Sequence, residues 1–165
     1  MIRAAVPADV PAVLALVRAL AAYEREPHAV AMTAADLHVA LFDPDPSASC
    51  LVATDGPAPT STDPGSVVGF AIWHRTFSTW TGQAGMHLVD LFVQPEHRRG
   101  GHGRALLAGL AGICVQRGWL RLEWAVLDWN TPAQEFYRSL SAGPLTGWMT
   151  WRLDGDALTR LATDT

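Results

Sequence analysis

The stretch Leu88-Val89-Asp90-Leu91-Phe92-Val93-Gln94-Pro95-Glu96-His97-Arg98-Arg99-Gly100-Gly101-His102-Gly103-Arg104 reads as a strand, a glycine-rich turn and the start of a helix. Met86 to Val93 is apolar nearly throughout, as expected of a central strand covered on both faces. Beyond Gly103, the residues Leu106, Leu107, Leu110, Ile113 and Cys114 recur at helical spacing, which predicts a helix of about four turns that Gly118 is placed to end. The turn between them has the form Arg98-x-x-Gly101-x-Gly103. Its glycines let the backbone bend sharply and approach a ligand closely. The free N–H groups at the helix start, aided by the dipole, point at an anion. Arg98, Arg99 and Arg104 put three of the chain's twelve arginines into seven residues. A bare RxxGxG is more simply a solvated turn, but a strand before it and a helix after it favour a bound pyrophosphate. The dinucleotide fingerprint GxGxxG is excluded, because its third glycine would fall at Leu106.

Towards the N-terminus, Ile2-Arg3-Ala4 predicts a short strand. Asp9 is placed to cap a helix with Pro11 in its first turn, and Val10, Val13, Leu14, Val17, Leu20 and Ala21 give that helix one apolar face to about Ala22. Thr33 with Asp36 resembles a capping box and opens a second helix to Phe42. Cys50 to Ala53 and Val67 to Phe77 predict a hairpin around a surface loop from Gly56 to Gly65. Towards the C-terminus, Leu120 to Val126 predicts a strand. Asn130-Thr131-Pro132 caps a helix running to Leu140, Trp148 to Leu153 predicts a last strand, and Asp154 to Leu161 a closing helix. The order implies an α/β fold, a mixed sheet with helices on both faces.

The chain has 165 residues, 49% hydrophobic and 17% charged, which suits one domain spanning 1–165. No apolar run approaches the ~20 residues of a membrane span, and the N-terminus lacks the apolar run of a signal peptide, so a cytoplasmic protein with no membrane partner is expected. Cys50 and Cys114 are far apart in apolar surroundings and suit buried thiols. A net charge of −4 argues against a nucleic-acid partner and favours a small cationic substrate. All twelve basic residues are arginine, so Schiff-base chemistry and a Walker-A loop are absent. The six histidines show neither HxxxH nor HExxH spacing, so no metal site is expected.

Read with its flanks, Asp90 to Gly103 resembles motif A of the GNAT acetyltransferases. Val126-Leu127-Asp128-Trp129-Asn130-Thr131-Pro132-Ala133-Gln134-Glu135-Phe136-Tyr137 resembles motif B, in the WNxPxxxFY form of the diamine (spermidine/spermine) N-acetyltransferase subfamily. Tyr23-Glu24, Val68-Gly69-Phe70-Ala71 and Trp80-Thr81-Gly82 match that subfamily in order and spacing, so the resemblance covers about residues 2 to 153. It implies a GNAT fold with a mixed, mostly antiparallel sheet of six to seven strands, whose central strands splay to admit acetyl-CoA. Leu91, Phe92 and Val93 would then pair with the pantetheine arm, and Arg98, Arg99, Gly100, Gly101, His102, Gly103 and Arg104 would hold the pyrophosphate. Asn130 would bond the cofactor arm, though it serves equally as a helix cap.

The resemblance further implies acetyl transfer to a primary amine of a small molecule, polyamine-like or amino-acid-like. Tyr137 is the expected acid for the leaving thiolate; as an isolated FY pair, Phe136-Tyr137 would be core packing. The diamine enzymes carry a glutamate immediately before the motif A aspartate, where this chain has Val89 before Asp90, so no side chain is assigned as the general base. Tyr23, Glu24, Trp80 and Asp90 are the substrate-side candidates. Glu24 reads equally as an exposed helix end, and Asp90 as a structural acceptor. Trp73, His74, Phe77 and Trp80 form an aromatic cluster where relatives shape the acceptor pocket, and His74 is the alternative base. Protein or peptide N-acetylation would need an open groove. A non-catalytic acyl-CoA sensor would keep the turn and tolerate loss of the tyrosine. The subfamily also implies a homodimer formed through the C-terminal strands.

Overall fold

In the computed structural model, which describes residues 1–56 and 66–163, the chain falls into two compact units, Met1–Ala125 and Val126–Thr165. The first unit holds β1 (Ile2–Ala4), α1 (Val10–Tyr23), α2 (Ala34–Phe42), β2 (Ser49–Asp55), β3 (Ser66–Ser78), β4 (Gln83–Val93), α3 (His102–Gln116) and β5 (Leu122–Trp124). Its five strands lie in the order β1-β2-β3-β4-β5. The first three pairings are antiparallel and β4 with β5 is parallel. The expected loop from Gly56 to Gly65 lies, beyond Gly56, outside the described residues.

Strand alternation divides the side chains between two faces. On one, Cys50, Val52, Phe70, Ile72 and Phe92 form a core with Val13, Leu16 and Leu20 of α1 and Leu37 and Leu41 of α2. On the other, Leu51, Ala53, Ala71, Trp73, Met86 and Leu88 are buried. There α3 comes so close that a Cβ on Gly109 would meet Leu51 Cδ1 at 3.0 Å. The helix ends as its sequence predicts. Gly118 takes φ +66°, and the N–H groups of Gly118 and Trp119 donate to the carbonyls of Val115 and Cys114, a Schellman turn. Both cysteines are buried and free. Burial pushes the Cys50 thiol up to about 12, with the Asp9 charge adding to it, and raises Cys114 as well.

The sequence reading placed Asp9 as the cap of α1. It does not cap that helix. A 3₁₀ turn at Pro7–Asp9 precedes α1, and the buried Asp9 carboxylate turns back to accept both Arg3 guanidinium nitrogens, at 2.6 and 2.8 Å, and the Val6 N–H at 2.8 Å. A charged donor on the neighbouring strand is a stronger partner than a helix N–H, so β1 is tied to the start of α1 instead.

The second unit contains α4 (Thr131–Arg138) and α5 (Gly155–Thr163). Asn130 caps α4, its Oδ1 accepting from the Ala133 N–H at 3.3 Å, with Pro132 in the first turn. The expected strand Trp148 to Leu153 carries no strand structure, and among the described residues the sheet has five strands rather than six to seven. Its composition is strand-like, but a strand exists only against a partner that completes its hydrogen-bond ladder. The expected strand Leu120 to Val126 shortens to Leu122–Trp124.

Burial alone would raise the Asp9 carboxyl, but the Arg3 hydrogen bond, the Val6 N–H and the Arg3 charge together hold it below the usual range. A carboxyl lowered on folding contributes stability that is present above its unfolded value and is lost as pH falls through its folded value. Asp9→Asn is therefore expected to cost about 2 kcal/mol at neutral pH, with the deficit shrinking in acid. Urea unfolding at both pH values checks this.

Candidate active site

The site is built around the C-terminal half of β4. The register pairs Ile72 with Asp90 but Trp73 with Leu88, so Val89 is the extra residue of a β-bulge and is 48% exposed. On β4's other side, β5 pairs only with Met86, His87 and Leu88. Among the described residues, then, β5 leaves β4 unpaired from Val89 to Val93. An unpaired strand edge of this kind receives an extended chain carrying its own N–H and C=O groups.

Where β4 ends, a 3₁₀ turn at Pro95–His97 leads into the arginine turn. Arg99 takes φ +64° and Gly101 φ +83°, conformations that turn the chain into the 15-residue α3. Nothing lies within 4 Å of where a Cβ on Gly101 would sit, so this glycine serves the backbone conformation and leaves the mouth of the helix open. The first N–H groups of a helix have no acceptor within it. Arg98, Arg99 and Arg104 are exposed beside them. This donor set fits a pyrophosphate, and the free edge of β4 fits the amide-bearing arm that follows one in coenzyme A.

Arg98 has a second engagement. Its Nε donates to the Val93 carbonyl at 3.0 Å, and its guanidinium lies 5.0 Å from the Tyr23 ring centroid and 5.4 Å from that of Phe92. It thereby ties the end of α1 to the end of β4. At the end of α1, Arg25 takes φ +69°, and the N–H groups of Arg25 and Glu26 donate to the carbonyls of Ala22 and Ala21. This is a Schellman turn without the usual glycine, and it holds Tyr23 and Glu24 at the helix terminus. Glu24 is raised by burial and by the nearby Asp90 charge, and Asp90 is raised by burial. Two half-buried carboxylates brought close together favour a cation between them.

The fold therefore assembles Tyr23, Glu24, Asp90, Leu91, Phe92, Val93 and Arg98 at one end of β4. Trp80 stands 85% exposed in the β3–β4 hairpin turn; the eleven residues of β4 separate it from Arg98, a span of about 30 Å. Asn130 and Tyr137 belong to the second unit, on α4 and its cap, where the Tyr137 ring lies 5.4 Å from Phe136. Among the described residues no three His, Cys, Asp or Glu side chains group closely enough to hold a metal ion. The sequence reading missed the bulge at Val89 and passed over His87, whose ring lies 5.2 Å from that of His74. Histidines at facing positions of two strands are legible only once the register is known.

An α/β sheet with a free strand edge beside an arginine-rich helix mouth suits a protein that holds a phosphate-bearing cofactor with an extended, amide-bearing arm. The acetyltransferase (GNAT) family model matches residues 14–141. The thialysine N-epsilon-acetyltransferase of Mus musculus is 34% identical over 164 residues, covering 98% of this chain and 96% of that one. The L-ornithine N5-acetyltransferase of Arabidopsis thaliana is 29% identical over 194 residues, covering 95% and 85%. A solved integron cassette protein from the mobile metagenome of V. cholerae superposes with a TM-score of 0.78 at 24% identity, over 99% of this chain and 97% of that one. The chain belongs to the GNAT acetyltransferase family, whose members are acyltransferases that use acetyl-CoA.

Because the Asp90 carboxyl is raised on folding, its ionised form costs stability. That cost is absent below the unfolded value and complete above the folded one. Asp90→Asn is expected to unfold at higher denaturant concentration than the parent at neutral pH and at the same concentration in acid. A variant less stable at neutral pH would assign Asp90 a structural hydrogen bond instead.

Proposed function

We propose that this protein transfers the acetyl group of acetyl-CoA directly to a primary amine of a small, cationic, amino-acid-like or polyamine-like molecule, with residues 1–165 acting as one catalytic domain. The observation that carries the acceptor class is the carboxylate pair Glu24 and Asp90, half-buried at the end of α1 and on β4. Two neighbouring carboxylates suit an acceptor that carries more than one ammonium on a small frame, as ornithine, thialysine and the polyamines do. The names of the thialysine and L-ornithine acetyltransferases point to the same chemistry, since both acceptors carry a side-chain amine on an amino acid. Tyr23 would line this pocket beside Glu24.

When bound, acetyl-CoA supplies an activated thioester. Gly100, Gly101, His102 and Gly103 would offer N–H groups to its pyrophosphate, with Arg98, Arg99 and Arg104 supplying charge. Leu91, Phe92 and Val93 would pair with its arm, Asn130 would donate to it, and Tyr137 would protonate the departing thiolate. We place the enzyme in the cytoplasm, in keeping with its free, buried cysteines; no helix among the described residues is long and apolar enough to cross a membrane.

We also propose a homodimer. Met149 and Trp151 are 79 and 86% exposed in a strand-like sequence that carries no strand structure among the described residues. An apolar stretch of this kind on a lone chain calls for cover, and a second copy supplies it. Trp151→Glu is expected to convert a dimer into a monomer in sedimentation; a parent chain that already sediments as a monomer would refute the dimer.

Free thiol released from acetyl-CoA with thialysine, ornithine, spermidine, putrescine and a short peptide tests the function. Release with the small amines and none with the peptide is expected, and the reverse would move the protein to peptide acetylation. Silence with tight acetyl-CoA binding would make it a sensor. Tyr137→Phe should lower kcat by about 100-fold and leave acetyl-CoA affinity intact. Alanines at Arg98 and Arg99 should weaken that affinity instead.

A further inference from the structure

Acetylation of an ammonium requires that it first lose a proton, and Val89 offers no group to take it. Opposite residues in a register pair share a sheet face. Ile72 and Phe92 lie in the core under α1 and α2, and Ile72 pairs with Asp90, so Asp90 faces that side. His74, two residues beyond Ile72 on β3, faces the same side and pairs with His87. Without the bulge, residues 87 and 90 of one strand would point to opposite faces. The extra residue at Val89 brings both to the α1–α2 face. On β5, Glu123 lies in register with His87, its carboxylate held by Arg121 Nε at 2.9 Å. Gly85 admits the Arg121 side chain, since a Cβ there would meet Arg121 Cγ at 2.9 Å.

We propose that His87 is the general base for the acceptor amine, with His74, whose ring is tilted against it, as the positioning residue. This rests on the amine acetyltransferase reading above. Three features single out His87. It stands on the strand whose free edge begins at Val89, two residues on, where the acyl end of an arm reaching back from the arginine turn would arrive. It is half-exposed, so an acceptor can reach it. Its ring lies 5.2 Å from that of His74 at 37°, and the polarity of His74 is fixed by its own backbone. His74 Nδ1 lies 3.2 Å from the Arg75 carbonyl oxygen, which can only accept, so Nδ1 carries the proton and Nε2 is left as an acceptor.

The charged groups around the pair divide the work. Asp90 and Glu24 are anions that hold the ammonium in place, and the imidazole of His87 supplies the lone pair that takes its proton. Glu123, already paired with Arg121, stabilises the imidazolium once formed. The acceptor R–NH3⁺ gives one proton to His87, and its freed electron pair forms the C–N bond to the thioester carbon. The C–S bond breaks, the electron pair leaves on sulfur, and the thiolate takes up the second proton that the amide nitrogen loses. The proton on His87 passes to water. One proton is released per turnover.

The test is the pH profile of kcat/KM for thialysine in the parent, His87→Gln and His74→Gln, with acetyl-CoA affinity by calorimetry as the measure of an intact fold. His87→Gln is expected to bind acetyl-CoA normally and to lose about 100-fold in kcat/KM near neutral pH. That deficit should shrink steadily as pH rises and the amine arrives already deprotonated. His74→Gln should displace the acidic limb of the profile with a smaller loss. A deficit in His87→Gln that is constant across pH, or no deficit, overturns the assignment while leaving the transferase in place. A parent chain that releases no thiol with any amine overturns the function, and the base with it.

Discussion

The pairing of β3 with β4, and the single misfit within it, is the constraint on which the rest of the molecule depends. From Gly69↔Val93 to Ser78↔Gln83 the two strands run in register except at one point, where β4 spends an extra residue at Val89. Before that point β4 is an ordinary central strand held by β3 and β5; after it, β5 no longer follows. The irregularity resets the alternation, so that polar side chains three residues apart share one face, at the point where β4 also gains a free edge. Bulges concentrate beside functional sites in other sheets, and this one lies within the candidate site.

Around that strand, tertiary ties converge on its C-terminal end. Arg98 joins the Val93 carbonyl to the rings of Tyr23 and Phe92, and the strained left-handed Arg25 fixes the helix terminus that bears Glu24. The cost of that backbone strain, of order 1–3 kcal/mol, and of two like charges near each other is met by the core beneath, where Phe70, Val52 and Val13 are wholly buried. Stability is held in the middle of the sheet and given up at its functional end.

Much of this was legible in the sequence. Among the described residues, periodicity located all five helices and the five strands that form, and the glycine- and arginine-rich turn of residues 98–104 was placed between β4 and α3 before any register was known. What failed did so for identifiable reasons. Asp9 carries a good cap signature, but Arg3, six residues away in sequence and adjacent in space, outbids a helix N–H. The segment from Trp148 to Leu153 has strand composition but carries no strand structure among the described residues, and composition alone does not make a strand. The pairing of His74 with His87 follows from a bulge that no local signal announces, because Val89 reads as an ordinary strand residue. Long-range register, more than local propensity, is what a single sequence conceals.

The burial of the two cysteines has a practical side. With the Cys50 thiol pushed up to about 12, only about one molecule in 10⁵ carries a thiolate there at neutral pH. Cys114 is buried and raised in the same direction. Cys50 in the folded protein is thus a poor target for electrophilic dyes. A chromogenic reagent added to a working reaction reports the coenzyme's sulfur against a quiet background, and a slow rise in the protein's own signal would be a measure of unfolding during the assay.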